Sequence, residues 1–160
     1  DLTHAYLHPK AARALAKAQR ILQKGHPEWS LIVFDACRPM HIQQKMWNVV
    51  KGTAVENYVS NPARGGGLHN YGMAVDISIC NANGDTLSMG TKVDHMSSRS
   101  HIDKEKILLS RHQISREAWR NRQLLRQVMR QAGFRALRTE WWHFNYISRA
   151  TAKKYYKYVK

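Results

Sequence analysis

Apolar positions recur at helical spacing through residues 9–24, PKAARALAKAQRILQK, where Ala14, Leu15, Ala18, Ile21 and Leu22 form one face and the basic residues fall mostly off it. Pro9 suits the first turn and Gly25 the exit. The run Leu31-Ile32-Val33-Phe34 is β-branched and aromatic, which predicts a buried strand, and Asp35-Ala36-Cys37-Arg38-Pro39 ends it with Arg38 at its tip. A helix is predicted over His41–Lys51. Asn61-Pro62 and the glycines 65–67 predict a loop. Over Ala74–Cys80 the pattern switches to strict alternation, with Val75, Ile77 and Ile79 on one face and Asp76 and Ser78 on the other.

Asn81-Ala82-Asn83-Gly84-Asp85 reads as a turn, and the polar, aperiodic stretch 91–112 as a long surface loop. Ser115 can cap a helix running to about Ala132, with Gly133 as its stop. Its inward stripe is Ala118, Leu125, Val128, Met129 and Ala132; Arg116, Arg120, Arg122, Arg126 and Arg130 are assigned to its outer face. A hairpin of Phe134–Arg138 and Trp141–Tyr146 follows, and Ser148 opens a last basic helix to the C-terminus. With no repeat and no linker composition, these elements add up to a single α+β domain over residues 1–160, a small central antiparallel sheet flanked by helices.

Composition adds one thing to this picture. Of 160 residues 43% are hydrophobic, which is ordinary, but 26 Lys+Arg stand against 11 Asp+Glu, a net charge of +15. Such a surface suits acidic partners: nucleic acid, anionic membrane or anionic cell-wall polymer. No apolar run approaches the roughly 20 residues of a membrane span. The chain starts at Asp1 rather than Met, as a processed or trimmed product would. The expected location is the periplasm or cell envelope if an export signal was removed, and the cytoplasm otherwise. Cys37 and Cys80 are too few for a disulfide framework; buried free thiols are expected, with a single bridge as the alternative in an oxidising compartment.

The candidate chemistry lies in Gly67-Leu68-His69-Asn70-Tyr71-Gly72-Met73-Ala74-Val75-Asp76 and Glu140-Trp141-Trp142-His143. Together these offer two imidazoles and two carboxylates. His69, Asp76 and His143 match a zinc ion with three protein ligands and an open position for water, whose pKa such an ion lowers to roughly 7. Glu140 is then left to move the water's proton. Glu140 and His143 would point to opposite faces of a regular strand, so a bend between them is required. Taken singly, each residue has a plainer reading: a surface or core histidine, a strand-end aspartate, an aromatic strand with polar neighbours. No HExxH motif is present.

The pair G-L-H-N-Y-G-M-A-V-D and E-W-W-H resembles the H-x6-D and E-x-x-H signature of the zinc D,D-peptidases, a family that includes the D-Ala-D-Ala dipeptidases of vancomycin resistance and the D,D-carboxypeptidases. Asp35–Pro39 resembles the D-x-x-R-P segment of the dipeptidase branch; Met89-Gly90-Thr91-Lys92-Val93-Asp94, followed by Ser100-His101, resembles its M-G-T-x-F-D segment. The similarity runs from about Tyr6 to Tyr146. It implies one Zn²⁺ per chain, bound at the sheet by His69, Asp76 and His143, with Glu140 as general acid/base. It implies that Arg38 stabilises the oxyanion, that Asp94 holds the free ammonium of a dipeptide, and that Tyr71 and Ser100 also contact substrate. Gly67 departs from a usual serine and Val93 from a usual phenylalanine.

The leading expectation is zinc-dependent hydrolysis of D-Ala-D-Ala in a bacterial enzyme. The alternative is a D,D-carboxypeptidase or endopeptidase that trims peptidoglycan stem peptides, favoured by the basic surface. A remoter reading, from the arginine face and the Lys/Tyr-rich tail, is a basic nucleic-acid-binding module.

Overall fold

The computed structural model describes residues 4–160; Asp1, with which the reading of a processed start began, lies outside the described residues. Four antiparallel strands form the sheet in the order β1-β2-β4-β3: β1 Ser30–Asp35, β2 Ala74–Cys80, β3 Arg135–Leu137 and β4 Glu140–Asn145. The alternating stretch becomes β2, a central strand buried along almost its whole length. Val75, Ile77 and Ile79 join Phe134, Trp142 and Phe144 in the main core, which α1 (Pro9–Gly25) covers with Ala14, Ala18 and Leu22 and α4 (Arg116–Gln131) with Leu125, Val128 and Met129. Each large apolar side chain so buried contributes about 1.5–3 kcal/mol. Ser115 caps α4 as expected, accepting from the Ala118 amide at 3.0 Å. No helix among the described residues is long and apolar enough to cross a membrane.

Four expectations need correction. The polar stretch 91–112 is not a free surface loop. It contains a 3-10 turn at Ser98–Ser100 and the helix α3, Glu105–Ser110. Glu105 is buried, accepting from Arg126 at 2.6 Å and from Gln123 at 2.9 Å. Arg122 is not on the outer face of α4: it is 1% exposed. Its guanidinium donates to the Met89 and Arg99 carbonyls, at 2.7 and 3.1 Å, and lies 3.9 Å from Glu105. Burial pulls its pKa down to about 10, with Glu105 opposing. The arginine face behind the nucleic-acid reading is therefore partly an internal clamp on the 89–105 segment.

The terminal helix, α5, ends at Tyr155 and does not run to the C-terminus. The chain after it crosses back over the site region. There the Val159 amide donates to the Asn70 carbonyl and the Val159 carbonyl accepts from Met40, each at 2.8 Å; Met40 opens α2, Met40–Val50. Cys37 and Cys80 are free and only partly buried, so neither the bridge nor full burial holds. Burial and the neighbouring Asp35 carboxylate push the Cys37 thiol pKa up, which keeps it protonated.

Candidate metal centre

Register brings the chemistry together. Asp76 on β2 pairs directly with His143 on β4, and opposite residues of an antiparallel pair share a face. Their side chains meet with His143 Nδ1 3.0 Å from Asp76 Oδ1. His69 arrives from a 3-10 turn, Leu68–Tyr71, that Gly72 ends at φ 62°. A side chain at Gly72 would be strained by that φ and would place its Cβ 2.8 Å from the His8 backbone nitrogen, so glycine is required there. From this turn His69 Nε2 reaches to 3.3 Å from Asp76 Oδ2 and 3.1 Å from His143 Nδ1.

The bend required between Glu140 and His143 is a break in the β3–β4 register: Ala136 pairs with Phe144, but Leu137 already pairs with Glu140. The intervening residues bulge, and Glu140 Oε2 comes within 3.9 Å of His143 Nδ1.

The outer atoms of both imidazoles fix what the inner atoms present. His69 Nδ1 lies 2.7 Å from the Ala36 carbonyl oxygen, which can only accept, so Nδ1 carries the proton. His143 Nε2 lies 2.8 Å from Asn145 Oδ1, which assigns the proton to Nε2. Both inner nitrogens are then lone-pair donors, facing each other and a buried carboxylate. Without a positive charge between them the three would repel. The group His69, Asp76 and His143 is geometrically able to hold a metal ion: one donor atom from each lies within 4.8 Å of the others, and the two imidazole nitrogens stand 3.1 Å apart. Donors of a tetrahedral ion at about 2.0–2.1 Å stand about 3.3–3.4 Å apart. The paired acceptors Ala36 and Asn145 are the orienting partners that metal-binding histidines ordinarily have.

Burial raises the Asp76 pKa, but the charges and hydrogen bonds of His69 and His143 prevail and hold the carboxyl well below the usual range. Burial lowers the His143 pKa, and Asp76 and Glu140 more than offset it. Glu140 differs. Burial pushes its pKa to about 7, with His143 and Arg38 pulling down and Asp76 and Asp94 pushing up.

Arg38 is held on every side. Its Nε donates to Asp35 Oδ2 at 2.9 Å, Nη2 pairs with the same oxygen, and Nη1 donates to Gln43 Oε1 at 2.9 Å. The Asn70 amide donates to the Arg38 carbonyl at 2.7 Å, and the Arg38 amide to the His69 carbonyl at 3.0 Å. A guanidinium has five N–H bonds, and these three contacts leave two. Nη2 is 3.9 Å from Asp76 Oδ2, so its unused N–H lies beside the metal-binding group. A break in the β1–β2 register between Val33 and Asp35 places Asp35 opposite Asp76, where it can support Arg38.

These groups line a cleft of about 370 Å³, a size suited to a small peptide. Arg38, His69, Asp76, Asp94, Glu140 and His143 all face it. Asp94 sits there in the left-handed region at φ 61°, its pKa raised by burial and by the Asp76 charge. Tyr71 and Ser100 do not line the cleft. Tyr71 is buried with its hydroxyl donating to Gly65 O at 3.3 Å, and Ser100 is fully buried, donating to His95 O at 2.6 Å. Both support backbone near the cleft and lie outside it. Conversely, Asp35, Gln43, Asn70 and Asn145 were not singled out as site residues. Three carried a signal: Asp35 and Asn70 lie within the D-x-x-R-P and G-L-H-N-Y-G segments, and Asn145, two residues beyond His143, is on the same strand face.

The family model described as D-Ala-D-Ala dipeptidase, of peptidase family M15, matches residues 3–160. A D-alanyl-D-alanine dipeptidase of Escherichia coli (strain K12) is 33% identical over 138 residues, 86% of this chain and 65% of the relative. One from Synechocystis sp. is 26% identical over 168 residues, 83% of this chain and 66% of the relative, and one from Enterococcus faecalis is 31% identical over 92 residues. The chain thus spans just under two thirds of the length of the first two relatives. A match over nearly all of its residues, on a fold that gathers the H-x6-D and E-x-x-H side chains into one cleft, shows that the chain belongs to the D-Ala-D-Ala dipeptidase family of peptidases.

Proposed function

We propose that this chain is a zinc-dependent dipeptidase that hydrolyses D-Ala-D-Ala. The observation that carries the reading is the convergence of three lone-pair donors, His69 Nε2, His143 Nδ1 and Asp76, with Glu140 3.9 Å from one of them. Two imidazoles and one carboxylate suit Zn²⁺, one per chain, which supplies an acidified water and a Lewis acid for the scissile carbonyl.

The chain's own residues divide the remaining work. With a pKa near 7 in the metal-free site, Glu140 is poised to remove a proton from the attacking water and to deliver it to the departing amine. Arg38, with Nη2 beside the metal-binding group, is the donor for the oxygen that gains charge as the carbonyl becomes tetrahedral. Asp35 and Gln43 hold it there in advance, so no reorganisation is needed at the moment of reaction. Asp94 accepts from the free ammonium of the dipeptide. That cation offsets the burial and the Asp76 charge that raise the Asp94 pKa, and so favours its carboxylate form. An ammonium-binding group at one end of a small cleft favours a dipeptide over an acylated chain end.

The rival reading, trimming of peptidoglycan stems, gains from the net charge of +15, which would also bring the protein to an anionic cell-wall surface. Turnover of free D-Ala-D-Ala is to be compared with that of an N-acylated stem peptide. Faster cleavage of the free dipeptide is expected; faster cleavage of the acylated one would establish the rival. Metal analysis should find about one zinc per chain.

A further inference from the structure

Thr91 and Ser100 lie outside the cleft, yet their hydroxyls belong to a hydrogen-bond chain that joins two of its walls. The Trp141 indole Nε1 donates to Thr91 Oγ1 at 2.7 Å, and Thr91 Oγ1 lies 3.2 Å from Ser100 Oγ. Ser100 Oγ donates to the His95 carbonyl at 2.6 Å. Counting protons fixes the direction. The carbonyl only accepts and takes the one hydroxyl hydrogen of Ser100, so Ser100 accepts from Thr91, whose oxygen accepts in turn from the indole. The chain is sheltered from water at both joints, with Ser100 0% exposed and Trp141 2%.

Its ends stand beside two groups of the cleft. Trp141 follows Glu140 on β4, and His95 follows Asp94. Glu140 and Asp94 both face the cleft. The stretch 89–100 leaves and returns at one place, because Arg122 donates to both the Met89 and the Arg99 carbonyl, and its guanidinium lies 5.7 Å from the Trp141 ring centroid. Asp94 stands in the middle of this loop at φ 61°, a conformation that a residue other than glycine keeps only where its surroundings fix it. The hydroxyl chain ties that loop to the strand of Glu140.

We infer that Thr91 and Ser100 are positioning residues that hold Asp94 at a set distance from Glu140, and that this distance makes the site select a free dipeptide. This rests on the dipeptidase reading above, in which Asp94 takes the substrate ammonium, and the test keeps the two apart. The ratio kcat/KM is measured for D-Ala-D-Ala and for N-acetyl-D-Ala-D-Ala, which has no ammonium. The zinc-loaded proteins are the wild type, Thr91→Val, Thr91→Ser, Ser100→Ala, Asp94→Asn and the double variant Thr91→Val/Asp94→Asn. Thr91→Val keeps the side chain's shape and removes its hydroxyl. It should lower kcat/KM for the free dipeptide about tenfold, as loss of one good hydrogen bond to a charged group does, and change that for the acetylated peptide by less than about twofold. Ser100→Ala breaks the chain at its other joint, leaves the Trp141–Thr91 bond in place, and should give the same selective loss. Thr91→Ser keeps the hydroxyl and should stay within about twofold of the wild type. With Asp94 already replaced, Thr91→Val should cost nothing further on the dipeptide. A wild type with no preference for the free dipeptide defeats the dipeptidase reading, and this role with it. Where that preference is present, equal losses on the two substrates, or no loss in either hydroxyl variant, overturn the role of Thr91 and Ser100 alone. A full further loss in the Asp94→Asn background does the same, since the chain would then act on something other than Asp94.

Discussion

Replacing Glu140 by glutamine should stabilise the metal-free protein while abolishing its activity. Glu140 is 8% exposed, and its pKa is moved from 4.5 to about 7, chiefly by burial. A shift of about 2.5 units corresponds to about 3 kcal/mol of differential stabilisation of the protonated form. Below pH 4.5 the carboxyl is protonated in both folded and unfolded chains, and its burial carries no ionisation cost. As pH rises from 4.5 to 7 the unfolded chain ionises first, and wild-type stability falls. Above 7 the folded protein carries the full cost of a buried carboxylate. Glutamine has the same shape and does not titrate, so the difference between the two proteins isolates this one group. Urea unfolding of chelator-treated wild type and Glu140→Gln at pH 5, 6, 7 and 8 would measure it. The variant should be more stable by less than about 1 kcal/mol at pH 5 and by about 3 kcal/mol at pH 8. With metal restored it should bind zinc but turn over no dipeptide. Parallel stability curves for the two proteins would refute the claim that burial controls this carboxyl.

Arg38→Lys should fold and bind metal normally yet lose about 10²–10³ in kcat, because an ammonium cannot hold Asp35 and Gln43 and still present two donors to the substrate. Turnover near the wild-type rate would place Arg38 outside the chemistry. Asp76→Ala should remove the carboxylate that both imidazoles share and lower the zinc content of the purified protein well below one per chain, as read by elemental analysis; full occupancy would show that the metal lies elsewhere. Arg122→Met should leave Glu105 with Arg126 and Gln123, but orphan the Met89 and Arg99 carbonyls. A loss of about 3–5 kcal/mol is expected, a fall of about 6–20 °C in melting temperature. An unchanged melting point would mean that the 89–105 segment is held by other means.

What could be read from the chain alone was whatever is local in sequence. Strand Ala74–Cys80 and the helix capped by Ser115 were legible because alternation, helical spacing and a capping hydroxyl act over a few residues. The H-x6-D and E-x-x-H residues were legible because each pair sits within one short segment, and Arg38 because it ends a strand before a proline. Buried charge defeated the same reading. Glu105 and Arg126 are 21 residues apart, so a polar stretch looked like solvent-exposed loop, and Arg122 looked like surface until its carbonyl partners from 23 and 33 residues away were seen. Tyr71 and Ser100 show the converse error: proximity to the motifs in sequence did not bring their side chains into the cleft.

The sequence by itself determined which donor atoms this protein possesses and the α+β elements that carry them. Only the tertiary structure decided where those donors point. Asp76 meets His143 because β2 and β4 pair in one register, and a slip by a single residue would turn every side chain of a strand to the opposite face. Asp35 stands behind Arg38, and Glu140 beside His143, because two neighbouring strand pairs break register there. Strand register is set by the packing of the whole sheet against its helices, a sum over residues distant in the chain, and no local pattern encodes it.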